Sequence, residues 1–498
     1  QQVSTMLRGM SSNNIAQVEI ITNPSAKYEA AGNSGIINIK LKKNKEAGVN
    51  GSANASFSQG KKYRTDGGLD LNYRDSKLNV FSNYSYGRRI GARQLNLTRN
   101  FFLRESDIID RSFLQVSDMT MPSDNHSIKG GIDYYLDEKN TLGLMISGNV
   151  GKWESENPTM TRIVNPDESM RSGSHSLNTI DDSWNSFTYN LNYKHVFDSA
   201  GRELTGDVDY SRSAFNSDQY FHTEFFDASG ETSGNSSVRR GAIPSGTDIY
   251  TGKIDYVQPL KGGLKLGTGW KSSFVDTDNN VRYDSLAGSS WNVDHATTNH
   301  FRYRENINAG YLNISKEFKG FSVQVGLRGE QTITEGHQIT IDSLVERNYF
   351  QLFPSIFLRK EISKNHQLQV SYSRRIDRPD YQSLNPFRYY LDPYTYEEGN
   401  PYLRPQMTHS IELSHIFKGN FTTALSYSHT DDVMTEVARQ IDSTNTTFVT
   451  RENLSVRNNY GLSITAPLTV TSWWMSNNYF NLFYNEYKGE YLGDFINA

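Results

Sequence analysis

Few residues in this chain are grouped as catalysis would need them. The run Asp276-Thr277-Asp278-Asn279-Asn280 could face a calcium ion. It lacks the spacing and the closing glutamate of an EF-hand loop, and a solvated turn accounts for it better. His409 and His415 share a strand face but stand six residues apart, too far for one metal. Asp181-Asp182 and Glu397-Glu398 fall in polar stretches and read as solvated charge in loops. The chain holds no glycine-rich phosphate loop, no HExxH and no G-x-S-x-G. It has no cysteine, which excludes disulfides, thiolate metal sites and cysteine nucleophiles. No nucleophile–base pair can be argued, so the expectation is a non-enzyme with no metal and no cofactor.

What the chain does offer is recognition chemistry, concentrated in residues 371–405. Pro379, Pro386, Pro393, Pro401 and Pro405 lower the entropy of ordering this stretch. Tyr381, Phe387, Tyr389, Tyr390, Tyr394, Tyr396 and Tyr402 supply aromatic surface. Arg374, Arg375, Arg378, Arg388 and Arg404 supply forked donors. The candidate contact residues are Arg374, Arg375, Arg378, Tyr381, Asn385, Phe387, Tyr394 and Asn400. They could meet a ligand, hold another part of the chain, or brace a wall. Bracing or holding is favoured over direct ligand contact.

The elements that carry these residues alternate. Phe187, Tyr189, Leu191 and Tyr193 oppose Thr188, Asn190, Asn192 and Lys194. Leu204, Val208 and Tyr210 oppose Glu203, Asp207 and Asp209, and Leu368, Val370 and Tyr372 oppose Gln367, Gln369 and Ser371. Charges keep to the polar phase, as they must if the other face meets lipid, where Lys or Arg costs about 2–4 kcal/mol near the midplane. Some runs fit less well; residues 306–315 break the pattern at Leu312 and Ile314, which suggests a bulge. Short turns at 74–77, 136–140, 198–202, 259–263, 317–320, 363–366, 417–420 and 467–472 alternate with long polar connections. Those connections read as loops at 88–125, 153–182, 216–247, 276–304, 332–347 and 376–404.

That alternation is the form of an all-β, antiparallel, up-and-down transmembrane barrel. The 30 tyrosines and 25 phenylalanines among 498 residues suit strands and interfacial aromatic girdles. No run of 18 apolar residues exists, so no membrane-crossing helix is expected. The net charge of −4 offers no basic field for nucleic acid. About 17 strands fit by residue 487. Plugged transporter barrels have about 22, and an open edge in lipid is not tolerated, so some five strands are expected beyond Ala498. The first residue is Gln, so the numbering is expected to start inside a longer precursor, or after a part left out as disordered.

Residues 15–43 have another texture, two short strands about Asn23-Pro24-Ser25 with Gly32 and Gly35 before the second. Val18, Glu19, Ile21, Asn23-Pro24-Ser25-Ala26, Tyr28, Gly32, Gly35, Ile36-Ile37-Asn38-Ile39 and Lys42 resemble the end of the plug domain of TonB-dependent outer-membrane receptors. Its motif residues are Asn23, Pro24, Tyr28, Gly32, Gly35 and Asn38. In the second stretch, the run from Ser371 to Arg375, Arg378-Pro379, Tyr381, the run from Leu384 to Phe387, Asp392-Pro393, Gly399-Asn400-Pro401, Leu403 and Pro405 resemble an outer-membrane β-barrel family of TonB-receptor-like proteins common in Bacteroidetes.

The resemblance implies residues 1–45 as the C-terminal part of a plug and residues 46–498 as the barrel. It implies a Gram-negative outer-membrane receptor or transporter that binds an extracellular ligand and imports it to the periplasm. Its partners would be outer-membrane lipid, the TonB complex through a box outside this sequence, and a surface lipoprotein or outer-membrane complex. The alternative is a non-transporting barrel serving as the scaffold of such a complex. A secreted soluble all-β binding protein is a more distant rival.

Overall fold

An apolar residue on every second position, with Ser, Thr, Asn or a charge between, gives each face of a strand its own surroundings. The computed structural model bears this out along nearly the whole chain. It describes all residues except 1–14, 22, 33–35, 42–46, 104–105, 393–394, 442, 445, 492–493 and 498. The strands are β1 (Ile15–Ile21), β2 (Ile36–Leu41), β3 (Gly48–Gln59), β4 (Tyr63–Arg74), β5 (Leu78–Phe102), β6 (Ile109–Tyr135), β7 (Asn140–Val164) and β8 (Met170–Val196). There follow β9 (Glu203–Phe226), β10 (Thr232–Pro259), β11 (Leu264–Ala287), β12 (Ser290–Val293), β13 (Asn299–Phe318), β14 (Phe321–Gln338), β15 (Ser343–Ser363) and β16 (His366–Asp377). One helical turn, α1 (Tyr381–Leu384), precedes β17 (Arg388–Asp392), β18 (Thr395–Glu398), β19 (Gln406–Phe417), β20 (Phe421–Ile441), β21 (Thr446–Thr471), β22 (Trp474–Tyr491) and β23 (Asp494–Asn497).

β1 and β2 form a separate antiparallel hairpin. With the short strands β12, β17, β18 and β23 also set aside, 17 long strands remain in one antiparallel wall. Strand order returns from β23 to β3. Among the described residues no residue-to-residue register crosses that seam, and the sheet is not closed there. No helix of the described residues is long and apolar enough to cross a membrane. The outward phase is apolar, with Leu144, Ile146, Leu191 and Leu312 all exposed. The inward phase carries the polar set, such as Asn190, Arg328, Glu330 and Ser373, all buried.

Seven of the eight short turns fall where the sequence placed them, and the last moves to 472–473 because β21 runs on to Thr471. The long polar connections do not fall where it placed them. Most of them are strands that continue far past a membrane's thickness, so that β5 and β6 leave only residues 103–108 between them. Ser, Thr and Asn make these extensions look like loops, yet their backbones pair in continuous register. For the same reason Asp181 and Asp182 lie within β8, and Glu397 and Glu398 within β18. The Asp276–Asn280 run is no turn either: it lies inside β11, where Asp276 takes both arms of Arg302 at 2.9 and 2.6 Å. There is no bulge at 306–315. β13 keeps unbroken register with β11 and β14, and Leu312 and Ile314 are its outward residues. The apolar residues change phase because Tyr311 faces inward, where it donates to Asp255 at 2.7 Å. A bulge does occur in β20, where Asp432 takes a φ of 53°.

Candidate functional site

β16 alternates, so Ser371, Ser373 and Arg375 fall on one face. Onto that face lies the N-terminal segment, residues 23–32. Asn23 donates from Nδ2 to Ser371 Oγ at 2.7 Å and accepts from Ser373 Oγ at 3.0 Å. Pro24, which has no N–H to satisfy, is fully buried beside it. Tyr28 N donates to Ser25 O at 3.0 Å, turning the chain, and its side chain is exposed. Gly32 then takes a φ of 88°, a left-handed value that a side chain would resist. Its N–H reaches Ile376 O at 2.9 Å, while Ile376 N reaches Ala30 O at 3.0 Å. The result is an isolated parallel bridge between Ala31 and Ile376.

Side chains reinforce this contact. Ala30, Ile376 and Phe353 form a buried apolar cluster. Arg375, only 5% exposed, donates to the carbonyls of Glu29, Ala31 and Gly32 at 2.9, 2.9 and 2.6 Å. Lys271 meets the Glu29 carboxylate, and Lys27 approaches Asp255 at 3.8 Å. Two strands along the same wall, β14 is cut back to make room: a Cβ on Gly326 would lie 2.1 Å from Asn313 Oδ1 and 2.8 Å from the Ala26 Cβ.

Three residues beyond Arg375, Arg378 turns away from the segment and grips the wall. It donates to Glu330 Oε2 at 2.8 Å and Thr332 Oγ1 at 3.0 Å, while Arg328 holds Glu330 Oε1 at 2.6 Å. All three charged groups are largely withdrawn from solvent. Past this point the chain crosses the mouth. Asp380 caps α1 through Ser383 N at 2.8 Å. Tyr381 packs against Phe301 and Tyr303, in a cluster with Leu384 and Leu403. Burial pushes its phenol above the usual range, so it stays protonated and accepts from Asn385 Nδ2 at 3.2 Å. Phe387 stacks on Tyr283 at 6.0 Å. Asn400 ties the returning limb to α1 and β21 through Ser383 O and Arg451 O. Between this strap and the far wall lies a cavity of about 480 Å³, lined in part by Asp182, Ser217, Gln219, Asn385, Phe387 and Glu436.

The eight candidate contact residues therefore part ways. Arg375 touches the N-terminal segment. Arg378, Tyr381, Asn385, Phe387 and Asn400 tie the strap to the wall or to itself. Arg374 donates to Leu352 O at 2.8 Å on the neighbouring strand. Tyr394 lies outside the described residues, as does Gly35. Asn38 serves the hairpin, donating to Glu19 at 2.8 Å. His409 hydrogen-bonds Tyr372 and His415 meets His366, and no metal-sized cluster of three ligands occurs among the described residues. Sequence reasoning missed Ser371, Ser373, Ile376, Gly326 and Asp255. Strand alternation could have grouped Ser371 and Ser373 with Arg375; nothing local marks the others.

Residues 195–497, more than half of the chain, match the outer membrane protein beta-barrel family. The chain belongs to that family. The solved structures similar to this outer-membrane barrel share its fold at low identity. The copper transporter OprC aligns with a TM-score of 0.62 at 11% identity, over 95% of this chain and 66% of that one. The ferric-catecholate import receptor Fiu from E. coli K12 aligns at 0.59 and 12%, over 96% and 70%. The RagAB peptide transporter aligns at 0.53 and 11%, over 87% and 51%. The barrel thus spans about two thirds or less of these neighbours' length. No curated protein sequence matches it. The outer-membrane location and the barrel fold read from the sequence hold, and both the family and the neighbours are outer-membrane proteins, not enzymes.

Proposed function

We propose that this chain is part of a TonB-dependent outer-membrane receptor that takes a ligand at its outer mouth and imports it to the periplasm. In this reading residues 15–41 are the end of a plug, and residues from Gly48 onward are the barrel. The observation that carries it is the seat of residues 23–32 on the inward face of β16, where the successive inward residues Ser371, Ser373 and Arg375 hold Asn23 and the carbonyls of residues 29–32. A barrel this wide passes solutes freely unless it is filled. A filling segment held by hydrogen bonds, with no covalent link, can be withdrawn by a pull and can return. The mouth cavity beneath the strap supplies a place where a solute would be held first. The inner-membrane TonB complex would supply the pull through a box outside this sequence.

The test is solute depletion from a defined medium by cells carrying the full-length protein. Uptake that disappears on deleting TonB or collapsing the proton gradient supports the reading. Uptake indifferent to both contradicts it.

A further inference from the structure

We propose that Arg375 is the catch of the plug, holding residues 29–32 on β16 by their backbone alone. The proposal rests on reading the N-terminal segment as a plug, but it is tested without transport. The guanidinium is buried, and its N–H groups donate to carbonyl oxygens, those of Glu29, Ala31 and Gly32. Among the described residues no carboxylate lies within ion-pair distance of it; the Glu29 carboxylate is engaged by Lys271 instead. The three carbonyls converge because Gly32, at a φ of 88°, turns the chain around the guanidinium. Only a planar fork reaches three such acceptors together; the compact ammonium of lysine does not.

The grip is therefore indifferent to the plug's own side chains and sensitive to Arg375. It is also reversible. When the plug leaves, the lumen can wet Arg375 and the freed carbonyls alike, so neither side is stranded in a dry site. The geometry fixes the order of loading. β16 begins at the short turn 364–365, and the Ala31–Ile376 bridge is parallel. Asn23 hence lies nearer the short-turn end than Gly32 does. A pull on the N-terminal side loads the Asn23 clasp on Ser371 and Ser373 first, and Arg375 after it.

These 498 residues have no cysteine, and with any cysteine elsewhere in the full-length protein replaced by serine, one thiol reports the plug cleanly. Ala26→Cys places it at a site that is 5% exposed, against the wall at Gly326. The full-length protein in outer-membrane vesicles is labelled with a water-soluble maleimide, and folding is checked by heat-dependent gel migration. Arg375→Gln is expected to raise the labelling rate about tenfold or more, the least that losing one charge-assisted hydrogen bond gives. Arg375→Lys should fall between. Arg359→Gln, whose residue pairs with Glu361 away from the plug, should stay within about twofold of the parent, and Glu29→Gln, which keeps the carbonyl and loses only the ion pair to Lys271, should loosen the plug far less than Arg375→Gln.

The proposal is overturned if Arg375→Gln labels at the parent's rate, or if Glu29→Gln loosens the plug as much. Should Arg375→Gln not fold, a folded Arg375→Lys with the parent's rate overturns it equally. Rapid labelling in the parent itself would instead refute the plug reading, and leaves a separate signature from any failure of uptake.

Discussion

Glu330→Gln removes one negative charge from a buried set of three and leaves two guanidinium groups facing each other. Glu330 and Arg328 are about as buried as groups in this protein become, at 3% and 4% side-chain exposure, and Arg378 stands at 12%. Breaking a pair this dry costs about 3–5 kcal/mol, because the remaining charge is stranded. Part of that strain is relieved when the strap lifts and Arg378 reaches water. Opening of the strap should therefore become about ten- to a thousandfold easier, at about 1.4 kcal/mol per decade. The readout is hydrogen exchange at Leu384 and Asn385, whose amides bond Asp380 O at 3.2 Å and Tyr381 O at 3.0 Å. Replacing the whole set with Arg328→Met, Glu330→Leu and Arg378→Met should return exchange close to the parent's rate, since nothing is then stranded. The reasoning is refuted if Glu330→Gln exchanges like the parent, or if the apolar triple variant opens as freely as the single one.

Asn23→Ala removes two hydrogen bonds and leaves the 1%-exposed Ser373 hydroxyl without its acceptor. It should weaken seating of the segment by about 1–3 kcal/mol, seen as a lower urea midpoint for a dye on Lys27→Cys. Gly326→Val, whose Cβ would fall 2.1 Å from Asn313 Oδ1, should expel the segment and expose residues 23–32 to protease; Gly252→Ala, in open space, should not. Ile146→Arg on the outward face should cost about 2–4 kcal/mol in folding into lipid vesicles, measured by the denaturant midpoint. Asp137 in the turn between β6 and β7 accepts from the Asn140 side chain and from the Lys139 and Asn140 amides, which holds its carboxyl below the usual range. Its stabilising effect is present above the free aspartate value near about 4 and fades as pH falls through the lowered one. Thermal stability of Asp137→Ala should therefore trail the parent at neutral pH and converge with it in strong acid.

Much of the wall was legible because its signals are local. Phe187 to Lys194 alternate without lapse, and the Asp-Glu-Lys-Asn turn before β7 declares itself. The polar extensions were not legible, because backbone pairing in β7 and β8 carries Ser172 and Asn178 as readily as it carries Leu191. At the site, residue types were visible and partners were not. Arg375 and Gly32 each stood out in the sequence, but 343 positions separate them, and no local pattern records that one receives the other. Tyr311 shows the converse: an aromatic on the polar phase is at home there because Asp255 accepts a hydrogen bond from its hydroxyl.

The central claim is that the N-terminal segment fills the barrel on β16, and a cysteine pair tests it most directly. In the full-length protein, Asn23→Cys with Ser373→Cys replaces side chains now 3.0 Å apart. The account predicts a spontaneous disulfide in resting outer membranes, formed in folded protein and blocking any TonB-dependent uptake until reduced. A folded barrel in which those two thiols stay free and separately labelled would contradict it.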